Sequence, residues 1–358
     1  MEPLWRDGLE ARARERLPEP VFRYLQQGAR RGVTTSEAVA AWDALRWVPR
    51  IFTDTSTVRT RTSLLGTDVA APVGIAPTTL QRAVHPDGEL AMARAAVAEG
   101  SLMVVSSNAG TRFAEIGSTR VAWWVQCYLP QDRSLARPLL ERARDAGARA
   151  VVLTVDTPVV GTKYDGGGPT VWDVTDPSLL RVNFDEGYDD DAAAAAKALD
   201  IGPPDVTWLH DATGLPVVVK GVLDGNGAVQ AAEAGAAAVW VSNHGGRQLD
   251  STVATAVALP EVVAALDRAG ATAEVYVDGG IRTGWHVALA TALGATACFV
   301  GRPPLHALAD SGEDGVRRLL AELRTELVET LRLAGCATPE EARGRAVPGA
   351  SRPPPLRR

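Results

Sequence analysis

From Pro72 onward, short apolar runs alternate with stretches of helical periodicity. The runs cover residues 73–76, 102–105, 122–127, 150–155, 217–219, 237–241, 275–277 and 297–300. Runs this short, apolar at successive positions, predict strands covered on both faces. Residues 88–99, 134–146, 225–234, 255–268, 283–293 and 313–333 carry the helical spacing, and the connection at 111–116 is short for a helix. The alternation predicts βα units around a parallel sheet. Eight such units in about 260 residues predict an α/β fold of the (β/α)8 TIM-barrel type. A doubly wound sheet is disfavoured, because polar residues follow almost every run rather than clustering at one switch point.

Upstream, residues 3–48 predict helices. Leu17, Val21 and Leu25 recur at helical spacing, and Pro18 and Pro20 suit the opening of a second helix. Residues 57–69 predict a hairpin turning at Leu65-Gly66-Thr67. A single domain is expected over 1–346, with N-terminal helices and hairpin over 1–70 and a disordered tail over 347–358, rich in Pro and Arg. Residues 161–205 join the fourth and fifth strands. Their GGGPT stretch, the acids 189–191 and the alanines 192–196 predict either a mobile active-site lid or a solvated insert.

Composition narrows the class. The 358 residues are 46% hydrophobic and 22% charged, as in globular domains. The formal net charge is -6 and no basic stripe is concentrated anywhere, which argues against nucleic acid as a partner. Cys127, Cys298 and Cys336 are far apart and share no metal-ligand spacing, which fits a reduced, cytoplasmic setting. No apolar run has the length of a membrane span or of a secretory h-region, so no membrane partner is expected. His85, His210, His286 and His306 read as structural or exposed, and no metal cluster can be assembled from them.

The candidate chemistry lies where the strands end. Val239 to Asp250 reads VWVSNHGGRQLD. Its glycines allow a tight turn close to a ligand. The imidazole of His244 titrates near neutral pH and can take a proton from a substrate. The fork of Arg247 matches a carboxylate. A base beside a carboxylate clamp suits the oxidation of a 2-hydroxy acid. Other strand ends carry Ala76-Pro77-Thr78-Thr79, Ser106-Ser107-Asn108, Gln126 with Tyr128, Thr154-Val155-Asp156, Lys220-Gly221, Asp278-Gly279-Gly280-Ile281-Arg282 and Gly301-Arg302. In a barrel these ends share one mouth, and the last two loops commonly hold a phosphate. Backbone N–H groups at Gly279, Gly280 and Gly301, with Arg282 and Arg302, therefore imply a phosphate-bearing cofactor. No G-x-G-x-x-G opens a helix after the first strand, so a Rossmann nicotinamide site is not supported.

In this order, APTTLQRAVHPDGE, WVQCYLPQDR, LTVDTP, VVVKGVL, VSNHGGRQLD, VDGGIRTG and FVGRPPLHALA resemble the FMN-dependent 2-hydroxy-acid oxidases and dehydrogenases. That family includes glycolate oxidase, lactate oxidase and mandelate dehydrogenase. The resemblance runs from about Leu17 to Cys336. It implies FMN across the barrel mouth, with its phosphate at Asp278, Gly279, Gly280, Arg282, Gly301 and Arg302. Ala76, Pro77, Thr78, Ser106, Gln126, Thr154 and Ser242 would contact the flavin and ribityl chain. Lys220 would lie near the flavin N1 and C2 oxygen, where a cation stabilises the reduced ring. His244 matches the family's base, which removes a proton while two electrons pass to the flavin as a hydride or an electron pair. Asp156 matches the carboxylate paired with that histidine. Tyr24 and Tyr128 match pocket tyrosines, although Tyr24 alone would read as a packing residue. Arg247 matches one arm of the carboxylate clamp. The resemblance also implies a homotetramer, a small-molecule substrate, and oxygen or another electron acceptor.

Departures from the family pattern carry information. T-V-D-x-P-x-x-G-x-R is usual after the fourth strand, but here the stretch reads TVDTPVVGTK. Lys163 thus stands in for the second clamp arginine and keeps the charge without the fork. Asn108 replaces a bulky aromatic of glycolate oxidase, and Thr79 stands where Ala or Gly is usual beside the flavin. These changes point either to a tolerated substitution or to a different substrate, such as an intermediate of specialised biosynthesis. Oxidase and dehydrogenase both stay open. An FMN-dependent isomerase on a similar phosphate-binding barrel and a non-catalytic FMN-binding homologue are the alternatives. Retention of Asp156, His244 and Arg247 argues against the latter.

Overall fold

The computed structural model of the protein describes residues 5–164, 167–185 and 192–349. Eight parallel strands close into a barrel: β1 (Val73–Ile75), β2 (Leu102–Ser106), β3 (Ala122–Cys127), β4 (Val151–Thr154), β5 (Val217–Val222), β6 (Ala238–Val241), β7 (Glu274–Val277) and β8 (Ala297–Val300). They pair in chain order, and β8 closes on β1 with Cys298 opposite Val73. Helices follow each strand: α1 (Gly88–Glu99), α2 (Phe113–Ser118), α3 (Arg137–Asp145), α4 (Pro203–Thr213), α5 (Gly225–Glu233), α6 (Thr255–Ala269), α7 (Gly284–Ala292) and α8 (Arg302–Leu333). The predicted TIM barrel is therefore the fold.

Strand parity divides the barrel into a dry floor and a polar rim. Side chains two apart share a face. Leu102 and Val104, Trp124, Ala150 and Val152, Val218, Ala238 and Trp240, Tyr276, and Ala297 and Phe299 pack together in one buried cluster. Trp240 and Phe299 stack with ring centroids 4.1 Å apart. Continuing the same parity towards the strand ends reaches Ser106, Gln126, Thr154, Lys220, Ser242 and Asp278. On these six strands, β2 to β7, the inward face thus turns from apolar to polar within one or two residues of the strand's end. Outward residues, such as Val105, Val125 and Val151, join the second cluster beneath the helices.

The predicted hairpin forms from Thr62–Leu64 and Thr67–Val69. Leu64 and Val69 belong to the interior cluster, and the Leu65 N–H donates to Glu274 Oε1 at the start of β7. The hairpin therefore plugs the N-terminal end of the barrel, so chemistry is confined to the opposite mouth.

Several boundaries differ from expectation. The N-terminal region holds helices Leu9–Arg16, Glu19–Gln26 and Val33–Asp43, but Leu45–Trp47 is a strand. It pairs antiparallel with Ala346–Pro348, so Val347, placed by sequence in the tail, is part of a two-stranded sheet. Residues 350–358 lie outside the described residues. β5 runs past Lys220 to Val222, with an irregularity between them. Lys220 is therefore an inward strand residue rather than part of the following loop. α8 starts at Arg302 and breaks at Ser311 and Gly312, which explains why only its second half showed helical spacing. The 161–205 stretch contains short helical turns at Val171–Asp173, Pro177–Leu180 and Ala193–Ala195, and its end belongs to α4. The acids at 189–191 lie outside the described residues. Among the described residues, no helix is long and apolar enough to cross a membrane.

Candidate active site

The barrel mouth opens into a cavity of about 620 Å³, within the range of cofactor and ligand sites. Every residue proposed from sequence for this site lines the cavity except Asp156 and Ser242. Those two lie behind the wall and hold residues that do.

His244 follows β6 in a single turn of 3-10 helix, with its φ at +56°. A left-handed backbone is costly for a non-glycine residue and persists only where its surroundings enforce it. Here the His244 N–H donates to Ser242 Oγ at 3.1 Å. The ring is fixed by Asp156, whose Oδ1 lies 2.9 Å from Nδ1. That contact places the proton of the neutral ring on Nδ1 and leaves Nε2 as the basic nitrogen. Asp156 is brought close because Gly221 packs on it with φ +112°. A Cβ at Gly221 would stand 2.7 Å from Asp156 Cβ. Burial pulls the His244 pKa below its ordinary value, against the opposing pull of Asp156. Burial pushes Asp156 upward, but His244, then Lys220 and Thr157, bring its net pKa below the usual carboxylate value. At neutral pH the pair is thus a neutral imidazole on a carboxylate.

Lys220, Ser242 and Asp278 form a second network on the inward face. Lys220 Nζ donates to Ser242 Oγ at 2.8 Å and lies 3.2 Å from Asp278 Oδ2. Ser242 Oγ donates to Asp278 Oδ1 at 2.7 Å. Ser242 therefore positions the lysine and the carboxylate. Gln126 and Thr154 are joined on the adjoining strands by a 3.0 Å bond from Gln126 Nε2.

Beside the β7 and β8 ends, Arg282 and Arg302 keep part of their surface on the cavity. Neither has a carboxylate partner among the described residues. Arg282 donates to the Ile281 carbonyl, and Arg302 donates to the carbonyls of Leu25 and Gly245. Burial, then Arg282 and Arg247, draws Arg302 down to about 9, and burial lowers Arg282 too. Two guanidiniums in one place, with only Glu10 acting on them from a distance, fit a dianionic phosphate. Gly280, with φ +86°, lets this loop pack on the N-terminal helix Val33–Asp43, because a Cβ there would lie 2.2 Å from the Ala38 carbonyl oxygen. The residues present therefore fit FMN. Asp278, expected from sequence to hold the phosphate, has its carboxylate engaged by Lys220 and Ser242 and its backbone N–H by the Val241 carbonyl.

Across the cavity stand the clamp candidates. Arg247 lies over the Tyr24 ring at 4.7 Å and donates to the carbonyls of Tyr24 and Gln27. Lys163 Nζ donates to the carbonyls of Gly161 and Arg247, at 2.7 and 2.6 Å. Burial, helped by Arg247 and Lys197, brings its pKa down to about 8. Burial, then Asp156 and Tyr24, pushes the Tyr128 phenol up, so it stays a donor. Asn108 reaches the inserted stretch, donating from Nδ2 to the Leu180 carbonyl at 3.3 Å.

Sequence reading missed Trp172, Leu180 and Lys197, which also line this wall. All three come from the 161–205 stretch, where no periodicity marked an inward face. The other four histidines have partners away from the His244 pair: His286 meets Asp43, His306 meets Gln26, His210 meets the Leu215 carbonyl, and His85 accepts from the Asp87 N–H. Among the described residues no group of three His, Cys, Asp or Glu could hold a metal.

Comparison with known proteins agrees with this geometry. A family model for FMN-dependent dehydrogenase matches residues 13–347. Glycolate oxidase 3 of Arabidopsis thaliana is 40% identical over 346 residues, covering 92% of this chain and 91% of that one. Glycolate oxidase of Spinacia oleracea is 39% identical over 347 residues, covering 93% and 92%. A crystal structure of mandelate oxidase with (S)-2-phenylpropionate superposes with a TM-score of 0.87 at 36% identity, covering 98% and 100%. A mandelate oxidase mutant holding an FMN adduct gives 0.86 at 37% identity, covering 96% and 100%. With the barrel, the cation pair and the His244–Asp156 pair in place over this length, the chain belongs to the family of FMN-dependent 2-hydroxy-acid oxidases and dehydrogenases.

Proposed function

We propose that His244 is the base, and Arg247 the carboxylate anchor, in the family's reaction: the FMN-dependent oxidation of a 2-hydroxy acid to the 2-oxo acid. The 2.9 Å contact that leaves Nε2 facing the cavity carries this reading. Bound FMN supplies the acceptor for the substrate's two electrons. The chain's own residues do the rest. Arg247 and Tyr24 orient the carboxylate, with the Tyr128 hydroxyl donating to the substrate. His244 Nε2 takes a proton, and Asp156 stabilises the imidazolium formed. Lys220, which lines the cavity, would supply positive charge that stabilises the reduced flavin. Arg282, Arg302 and the Gly279-Gly280 backbone would hold the phosphate. The described part of the 161–205 stretch would act as a lid that excludes water, supported by Val171, Trp172 and Leu180 on the cavity wall. Mixing the holoenzyme anaerobically with a panel of 2-hydroxy acids tests the reaction. Flavin that stays oxidised with every acid defeats it.

The purified protein is expected to be yellow and to release FMN rather than FAD, because the cavity offers one cation pair for one phosphate. Chromatography of the heat-released flavin decides this, and FAD as the main species contradicts it. Oxygen is the proposed acceptor, in keeping with relatives named as oxidases. A cytoplasmic homotetramer is the proposed setting, in keeping with three buried free cysteines and with the family resemblance.

The altered clamp makes its own prediction. Lys163 is a point charge occupied by two backbone carbonyls, whereas an arginine there would offer a planar fork. Lys163→Arg is expected to speed anaerobic reduction by lactate. Asn108→Trp is expected to slow reduction by mandelate-like acids, because the larger ring displaces the contact with Leu180 and fills the pocket. If neither substitution shifts the ratio of lactate to mandelate rates, these departures carry no substrate information.

A further inference from the structure

Among the described residues, one cation of the cavity has neither a hydrogen-bond acceptor nor an ion-pair partner. Lys197 lies in the alanine-rich part of the insert. Its strand-like segment is stapled to the loop after β3: Lys197 bridges Pro130, the Gln131 N–H donates to the Ala196 carbonyl at 2.7 Å, and the Ala198 N–H donates to the Leu129 carbonyl at 2.9 Å. The staple turns the side chain inward, with Nζ 4.1 Å from the centroid of the Tyr128 ring. Among the described residues Nζ has no hydrogen-bond acceptor and no ion-pair partner. An ammonium carries three donors and is strongly hydrated, so an aromatic face alone compensates it poorly.

Charge matching shows what is missing. Asp278 answers Lys220, and Asp156 answers His244. The FMN phosphate would answer Arg282 and Arg302, and one substrate carboxylate would answer Arg247. Among the described residues Arg23 and Lys163 have no carboxylate either, but they donate to backbone carbonyls; Lys197 has no such acceptor there, and it adds to the repulsion felt by Lys163. Burial holds Lys197 itself below the ordinary lysine value, with Asp156 only partly opposing.

We infer that Lys197 binds a second carboxylate of the substrate, so that the preferred substrate is a dianionic 2-hydroxy acid. This rests on the reading of the cavity as a 2-hydroxy-acid site. The first carboxylate lies against Arg247, and the second reaches Lys197 beside Tyr128. An anion at that point removes the repulsion between the two lysines. It also replaces the water that the ammonium lost on burial.

The test compares malate and 2-hydroxyglutarate with lactate and mandelate, using anaerobic flavin reduction by the holoenzyme. Calorimetric titration with 2-oxoglutarate and pyruvate gives binding apart from turnover. The unmodified protein should bind the diacids more tightly. Lys197→Met should weaken diacid binding by about tenfold to a hundredfold more than monoacid binding, as expected for one charge-assisted contact. Lys197→Arg should restore much of the preference. Equal or better binding of monoacids by the unmodified protein overturns the inference, as does a parallel loss for both classes in Lys197→Met. Both of those results leave the reaction itself standing. If no 2-hydroxy acid reduces the flavin, the reaction fails and the inference falls with it.

Discussion

Replacing His244 with alanine is expected to slow anaerobic flavin reduction by on the order of 10²–10⁴-fold while FMN stays bound. The size follows from losing a positioned base. Retention of FMN follows from the geometry, because the cation pair is built on the β7 and β8 ends while His244 follows β6. Absorbance of the bound flavin reports both quantities in one experiment. Near-normal reduction in the variant would assign the proton to another group. The pH profile is a second check. The folded pKa of His244 lies below 6.5, so the neutral base is present at pH 7. Activity should hold as pH falls to the unperturbed value and drop only below it. Asp156→Asn removes the carboxylate that raises the His244 pKa, so the fall should move to lower pH. The maximal rate should also drop, because the imidazolium loses its partner.

Arg282→Met should weaken FMN binding by roughly tenfold to a hundredfold, the worth of about one charge-assisted hydrogen bond. It should not lower the melting temperature of the apoprotein. The two expectations have one cause. The Arg282 side chain has no carboxylate partner among the described residues, and its one hydrogen bond there is to the carbonyl of its neighbour Ile281. Without a phosphate its charge is a desolvation cost, and methionine removes that cost while filling similar space. Arg302 would be a poorer probe, since it also ties down the Leu25 and Gly245 carbonyls. Flavin fluorescence quenching gives the affinity, and thermal melting of the apoprotein gives the stability. A large fall in apoprotein stability with unchanged FMN affinity would make Arg282 a structural residue.

Much of this protein is legible in the order of its residues. Eight apolar runs determined the barrel, because a strand buried on both faces needs apolar residues at successive positions. The polar residues closing each run determined which end carries chemistry, and the inward parity of Lys220 and Asp278 follows from the period of two. Local pattern could not show what depends on distant pairing. The strand at Ala346–Pro348 exists because Leu45–Trp47 lies beside it. Its sequence alone resembles a tail. Asp278 reads as part of a phosphate loop, yet its carboxylate is engaged by Lys220 from a strand 58 residues earlier in the numbering. Lys197 sits in an alanine run with no periodicity, and only the staple to Leu129 and Gln131 turns it into the cavity. The sequence by itself determined the fold and the family chemistry, since both rest on patterns repeated along the chain. The tertiary structure alone decided which cations are already matched and which remain for a ligand, because charge compensation depends on distance in space.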